Sequence, residues 1–435
     1  MRDLSIRDLY SIFIKNPSLT TDSRNIKKGS IFFSLKGDNF DGNKFAEAAL
    51  QNGCSYAVVD NEEYYKGEKY ILVHDCLETL QALAKFHREQ LSIPFIAITG
   101  SNGKTTTKEL IKNILEKKYR VLATQGNLNN HIGVPLTILS VTPETELAVI
   151  EMGANHAGEI AMLCEIAQPH FGIITNIGRA HLGEFGSFEA VVKAKTELYH
   201  FIKASSGKIF INSENKLLMD NAAGIEKISY GSSGGNFSST QFIEANPFLH
   251  IQCANEKISS QLIGSYNFEN VSAAICIGKY FGVEMKSIKE AIENYIPSNN
   301  RSQAMRTKTN MLILDAYNAN PSSMAVALEN FSQMKGENKW LIFGDMLELG
   351  EYEIKEHQDI LLQIAEKKFL NVMLVGPRFM KALNELKISF PNIFTFKTSD
   401  ELIQRLKTES PIVSASMILI KGSRGMKLEK AVEYL

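Results

Sequence analysis

An apolar run, Phe95-Ile-Ala-Ile98, ends at Thr99-Gly100, turns through Ser101-Asn102-Gly103, and continues as Lys104-Thr105-Thr106 into a helical pattern at Lys108-Glu109-Leu110. An ammonium, a hydroxyl and two glycines in one strand–turn–helix passage have the chemistry of triphosphate binding. Glycine lets the backbone wrap without Cβ clashes, so successive N–H groups and the helix N-terminus point at phosphate oxygens. Lys104 then meets the β/γ-phosphates and the Thr105 hydroxyl ligates Mg²⁺, with Thr99, Gly100, Ser101, Asn102, Gly103 and Thr106 completing the wall. The spacing is shorter than G-x-x-x-x-G-K-[ST], whose first glycine would fall at Ile98.

Other chemistry-bearing side chains also follow apolar runs. Glu151 ends the strand pattern at 146–152, and a carboxylate there suits Mg²⁺, which takes few protein oxygens plus phosphates. His181 follows the pattern at 171–177; imidazole is less usual for Mg²⁺, and taken alone it reads as a hydrogen-bonded loop residue. Lys195 lies on an amphipathic pattern, Phe188–Glu197, whose spacing alone describes a solvated lysine. Asp315-Ala-Tyr317-Asn318-Ala-Asn320-Pro321 offers groups for a ribose, phosphate or amine, or for an Asx-turn. Lys421-Gly-Ser423-Arg424 reads as a second anion-binding turn, and Gly126-Asn127-Leu-Asn129-Asn130 is an Asn-rich loop. His131 and His156 sit in Asn/Gly loops, where hydrogen bonding outranks catalysis. The polar loops Thr21-Asp22-Ser23-Arg24 and Lys36-Gly37-Asp38 are binding loops or ordinary surface.

The elements that must carry these groups divide the 435 residues into three α/β units, at 1–90, 91–300 and 301–435. The first has strand patterns at 30–35 and 56–60 and helical patterns at 43–51 and 77–89. The second alternates strands (95–98, 121–124, 146–152, 171–177) with polar loops and helices, which predicts a parallel sheet with ligands at the strands' C-terminal ends. The Gly/Ser patch at 231–240 reads as a surface connection. The third unit is Rossmann-like, with strands at 311–315, 340–343, 371–375 and 417–420 and helices at 323–334, 353–367 and 427–434. It lacks a Gly-x-Gly-x-x-Gly turn, so a dinucleotide is not indicated.

Composition narrows the class. Hydrophobic content of 44%, charged content of 22% and a net charge of −1 describe a soluble globular protein and argue against general nucleic-acid or membrane-surface binding. No segment approaches 18 uncharged apolar residues, and the N-terminal residues lack a signal-peptide run. Five scattered cysteines predict buried thiols in a reducing cytoplasm.

Taken together, the passages 99–107, 126–135, 151–156, 315–321 and 421–424 resemble the Mur ligases of peptidoglycan synthesis over nearly the whole chain, with three domains in the same order. Glu-Met-Gly-Ala and Tyr-Asn-Ala-Asn-Pro are similar to the branch that adds D-alanyl-D-alanine. The resemblance implies a small N-terminal UDP-sugar domain, a central P-loop ATPase-like domain and a C-terminal Rossmann-like domain. It implies an ATP-dependent, ADP-forming amide ligase of cell-wall precursor synthesis that joins D-alanyl-D-alanine to UDP-N-acetylmuramoyl-tripeptide through an acyl phosphate. It further implies two Mg²⁺ ions, one held by Thr105 and Glu151 and the other with help from His181, and a CO₂-derived carbamate on Lys195 as a metal ligand. Lys104, Lys195, His181 and Glu151 become the catalytic set. Asn267, Asn270, Arg301 and Asp315 join the phosphate loop as ATP contacts, although Tyr266 replaces the family's usual histidine and Asn300 a usual glycine. Thr21–Arg24 and Lys36–Asp38 would bind the UDP-sugar. Asn127, Asn129, Asn130, Tyr317, Asn318, Asn320, Lys421, Ser423 and Arg424 fall in substrate-binding motifs. A cytoplasmic monomer without nucleic-acid partners is expected. The competing readings are a folylpolyglutamate synthase or third-residue-adding ligase of the same fold, and a P-loop kinase or ATPase.

Overall fold

The computed structural model describes residues 5–179, 182–297, 300–408 and 413–435. Three sheets organise them, of four, nine and six strands, beside a two-stranded hairpin at Lys36–Gly37 and Phe40–Asp41.

The first sheet is parallel, in the order Leu19–Thr20, Ile31–Phe33, Tyr56–Val59, Tyr70–Leu72. Helix Cys76–Glu89 leaves it with Asp75 as N-cap, whose carboxylate accepts from Glu78 N at 2.8 Å. Leu80, Leu83 and Ala84 on that helix, with Leu9 and Phe13 of helix Ile6–Lys15, belong to the same apolar cluster as Phe95 and Ala97 of the next sheet. The first body therefore shares a continuous core with the second.

The second sheet runs Glu256–Ile263, Phe248–Cys253, Ser238–Ala245, Glu226–Gly231, Lys208–Asn212, Phe171–Ile174, Phe95–Thr99, Leu147–Glu151, Val121–Ala123. Phe95–Thr99 is wholly buried between Phe171–Ile174 and Leu147–Glu151, as its unbroken apolar run requires. The expected parallel sheet is extended by an antiparallel meander at 238–263. There, alternating burial on Phe248–Cys253 leaves one face solvated, which antiparallel strands tolerate. The patch at 231–240 is a surface connection only over 232–237, its ends being drawn into strands.

The third sheet runs Gln303–Arg306, Met311–Asp315, Met417–Lys421, Lys339–Gly344, Asn371–Val375, Asn392–Phe396, parallel except for its first pair. Its two edge strands are short and mostly not buried, so their sequences lack the long apolar run of the central strands. The helix expected at 427–434 is a 3₁₀ helix, Leu428–Tyr434, whose inward residues Leu428 and Ala431 are three apart, the period of that helix. All five cysteines are buried free thiols. Among the described residues, no helix is long and apolar enough to cross a membrane.

Candidate active site

The C-terminal ends of Phe95–Thr99, Leu147–Glu151 and Phe171–Ile174 open on a cavity of about 1040 Å³, closed on its far side by residues of the third body. Its floor is the turn at 100–103. Gly100 has φ +141°, and a Cβ there would lie 2.1 Å from Thr175 Oγ1; Gly103 has φ +80°, with a Cβ 2.5 Å from Asn270 Oδ1. Both positions demand glycine. Asn176 clasps the turn: its backbone carbonyl accepts from Ser101 N at 2.9 Å and its side-chain oxygen from Asn102 N at 3.0 Å. Helix Lys104–Leu115 then begins at Gly103, and its first intrahelical bond runs from Thr107 N to Gly103 O. The N–H groups of its first turn thus face the cavity as anion donors.

Lys104 Nζ donates to the carbonyls of Gly100 at 2.6 Å and Ser101 at 3.2 Å, holding the ammonium over the turn. Burial lowers its pKa, Glu151 opposes that shift, and the nearby Arg301 charge reinforces it.

Glu151 is 1% exposed. Its Oε1 accepts from Thr105 Oγ1 at 3.2 Å and Asn129 Nδ2 at 2.8 Å. Its Oε2 is buried without a hydrogen-bond partner, and the nearest cation, Lys108 Nζ, stands 3.9 Å away. A buried carboxylate oxygen left unsatisfied beside a threonine hydroxyl is a donor set that fits a hard divalent cation.

Lys195, on helix Phe188–Ala204, is 2% exposed, contrary to the solvated lysine that its spacing describes. Its Nζ donates to Ala154 O at 3.1 Å and lies 5.6 Å from the Phe185 ring centroid. Burial first, and the Lys104 charge second, bring its pKa down to about 7 against the pull of Glu159 and Glu197. His181 lies outside the described residues.

Asn267 and Asn270 are buried braces as well as cavity lining. Asn270 accepts from Thr107 Oγ1 at 3.1 Å and donates to Asn267 Oδ1 at 2.9 Å, while Asn267 Nδ2 donates to Ile263 O at 2.8 Å. On the opposite wall, Lys421 Nζ pairs with Asp315 Oδ2 at 2.5 Å, and Asp315 Oδ1 accepts from Ser302 N at 3.2 Å. Tyr266, at the position of the family's histidine, donates to Ser302 Oγ at 2.6 Å. Asn300 takes φ +57°, a left-handed conformation that glycine adopts freely and asparagine tolerates better than most other residues.

Asn127, Asn129, Asn130, Tyr317, Asn318, Asn320, Arg301, Asp315 and Lys421 line this cavity with the phosphate loop. Ser423 is a brace, its hydroxyl accepting from Leu347 N at 2.9 Å. The first-body loops do not line it. Asp22 is paired with Arg24 at 2.8 Å, and Lys36 with Asp60 at 2.8 Å.

Three family models match in chain order: the "Mur ligase family, catalytic domain" over residues 17–88, the "Mur ligase middle domain" over 98–278, and "Mur ligase, glutamate ligase domain" over 300–424. The chain belongs to the Mur ligase family. Among curated Mur ligases it is similar to the UDP-N-acetylmuramoyl-tripeptide--D-alanyl-D-alanine ligase of Bacillus subtilis (strain 168). The identity is 35% over 428 residues, 96% of this chain and 92% of the relative. Among solved structures, MurF from Acinetobacter baumannii superposes with a TM-score of 0.84 at 31% identity, covering 96% of this chain and 92% of that one. MurF ligase from Thermotoga maritima in complex with ADP gives 0.82 at 25% identity, covering 96% and 97%.

Several residues that build this cavity are not singled out by the sequence alone. Asn176 and Thr175, whose Oγ1 donates to Asn102 O at 2.6 Å, shape the turn at 100–103 from the neighbouring strand. A Thr-Asn pair at a strand's C-terminal end was the available signal. Arg179 joins the bodies: its N–H donates to Ser322 Oγ at 2.9 Å and its guanidinium pairs with Glu356 at 3.1 Å. Nothing local marks that partnership.

Proposed function

We propose that this chain is an ATP-dependent, ADP-forming ligase that joins D-alanyl-D-alanine to UDP-N-acetylmuramoyl-tripeptide in cytoplasmic peptidoglycan precursor synthesis. The observation that carries the reading is the shared cavity. In it Lys104, the Thr105–Glu151 pair and the Asp315 wall face one another, in a chain 35% identical to a ligase of that name over 96% of its length.

The chemistry follows from these residues. The terminal carboxylate of the tripeptide attacks the γ-phosphorus, the bond to the β-phosphate oxygen breaks, and ADP leaves an acyl phosphate. The amine of the dipeptide then attacks that carbonyl, loses a proton, and expels phosphate. Phosphoryl transfer needs alignment and neutralisation of spread negative charge. Lys104 and the helix N-terminus supply both for the β/γ-phosphates, while Asp315 and the linker residue Arg301 approach the nucleotide from the third body. Thr105 and Glu151 would hold one Mg²⁺, and Lys195 as a carbamate, with His181, a second; these ions would supply charge neutralisation for the phosphates. A Lys195 pKa of about 7 leaves about half of the group as the neutral amine near pH 7, the form that adds to CO₂. Closure of the third body over the centre is what would keep water from the acyl phosphate and protect it from hydrolysis. Asn127, Asn129, Asn130, Asn318 and Lys421 face the peptide substrates. Thr21–Arg24 and Lys36–Asp38 are assigned to the UDP-sugar, and one chain provides the whole site.

ADP release, measured with UDP-N-acetylmuramoyl-tripeptide with and without D-alanyl-D-alanine, tests the reading. Release that depends on both substrates is expected. Release indifferent to the dipeptide would assign the chain to another ATP-using class.

A further inference from the structure

The Tyr317 ring carries two guanidinium groups, Arg301 at 3.6 Å from its centroid and Arg424 at 5.2 Å. At 3.6 Å a planar group is in van der Waals contact, so that face of the ring is closed to a nucleobase or a sugar. The segment bearing Arg301 is pinned on both sides. Asn300 and Ser302 take φ +57° and +48°, Ser302 N donates to Asp315 Oδ1, and Ser302 Oγ accepts from Tyr266 OH. The guanidinium itself is held differently: its Nε is buried with no hydrogen-bond partner. The ring is the contact that aims it.

Stacking suits a group that must still donate. A guanidinium offers its face to the ring while all its N–H bonds lie in the plane, directed away from it. Arg301 and Tyr317 line the same cavity as Lys104 and the phosphate-loop turn. The transferring phosphoryl group spreads charge over three equatorial oxygens, and Lys104 approaches from the loop side only. A second cation from the third body must be fixed in place, because misplacement by about 1 Å costs a reaction of this kind about 100-fold.

We propose that Tyr317 is a positioning residue, whose ring orients the Arg301 guanidinium toward the transferring phosphoryl group and does not itself receive a substrate base. The proposal rests on the ATP-dependent ligase reading above.

The test is a double-mutant cycle on dipeptide-dependent ADP release. Tyr317→Leu lowers kcat about 10-fold, the scale of a lost cation–ring contact, and leaves KM for D-alanyl-D-alanine within about twofold. Tyr317→Phe recovers the activity that Tyr317→Leu loses. In an Arg301→Ala background, Tyr317→Leu costs nothing further. Arg301→Lys, which keeps the charge but loses the planar face, matches Tyr317→Leu and serves if that variant folds poorly. Equal cost of Tyr317→Leu with and without Arg301 overturns the proposal, as does full activity in Arg301→Lys or a loss confined to KM for the dipeptide. Wild-type chain that releases no ADP on addition of the dipeptide refutes the ligase reading instead. ATP-analogue binding to the same variants then judges Tyr317: weakened affinity in Tyr317→Leu supports its role, and unchanged affinity overturns it.

Discussion

Asn320 Nδ2 donates to Asn102 Oδ1 across 3.0 Å, tying the third body to the tip of the phosphate loop. The same side chain caps helix Pro321–Gln333 in a capping box, its oxygen accepting from Ser323 N at 2.8 Å. One asparagine therefore starts a helix and docks it. Removing both functions in Asn320→Ala should cost about 1 kcal/mol of stability through the cap alone, and turnover should fall severalfold through the lost bridge. Asn102→Ala keeps the cap and loses only the bridge. Thermal unfolding should separate the two variants while ADP-release rates place them together; normal turnover in both would deny the bridge a part in closure.

Gly103, like Gly100, leaves no room for a Cβ in the loop. With φ +80° and a Cβ position 2.5 Å from Asn270 Oδ1, Gly103→Ala strains the backbone and displaces the Asn270 brace. ADP affinity, measured by calorimetry, should drop at least about tenfold, with the far-ultraviolet spectrum unchanged. Retained affinity would show that the turn does not hold the phosphates.

Lys104→Ala and Glu151→Ala should abolish ADP release without unfolding the chain. The helix behind Lys104 keeps its buried face, and Lys108 keeps Thr124 O at 2.5 Å and Glu109 at 2.9 Å when Glu151 is removed. Glu151→Ala should also lose the Mg²⁺ dependence of nucleotide binding. Near-normal turnover in either variant contradicts its assigned role.

Lys195 gives a pH-dependent prediction with a definite sign. Below its pKa of about 7 the group is an ammonium and cannot add to CO₂; above it the neutral amine can. Activity after CO₂ stripping should therefore return on adding bicarbonate, and return less fully at pH 6 than at pH 8. Lys195→Ala should be nearly inactive and partly rescued by short carboxylates. Carbon-13 NMR with labelled bicarbonate reads the carbamate directly, and a silent spectrum from active enzyme would exclude it.

The strand, glycine turn and helix at 95–115 could be read from the sequence because their demands are contiguous. A buried strand needs an apolar run, the turn needs two glycines, and the donors follow within two residues. The parallel strands around it were legible for the same reason. The meander at 238–263 and the short edge strands of the third sheet were not, since a half-solvated or edge strand carries only weak apolar alternation. Lys195 was misleading: helical periodicity describes the helix's own faces, whereas its burial is set by Ala154 and Phe185, which the fold brings over that face.

What the chain order determined by itself was the kind of chemistry: glycines, lysine, threonine and carboxylate placed where strands end, each identifiable from local backbone requirements. What only the folded molecule decided was the partnerships. Asn102 meets Asn320, Arg179 meets Glu356, and Arg301 stacks on Tyr317. The first two pairs join the central and third bodies, and all depend on how the third body and its linker pack against the centre, information that no local periodicity contains.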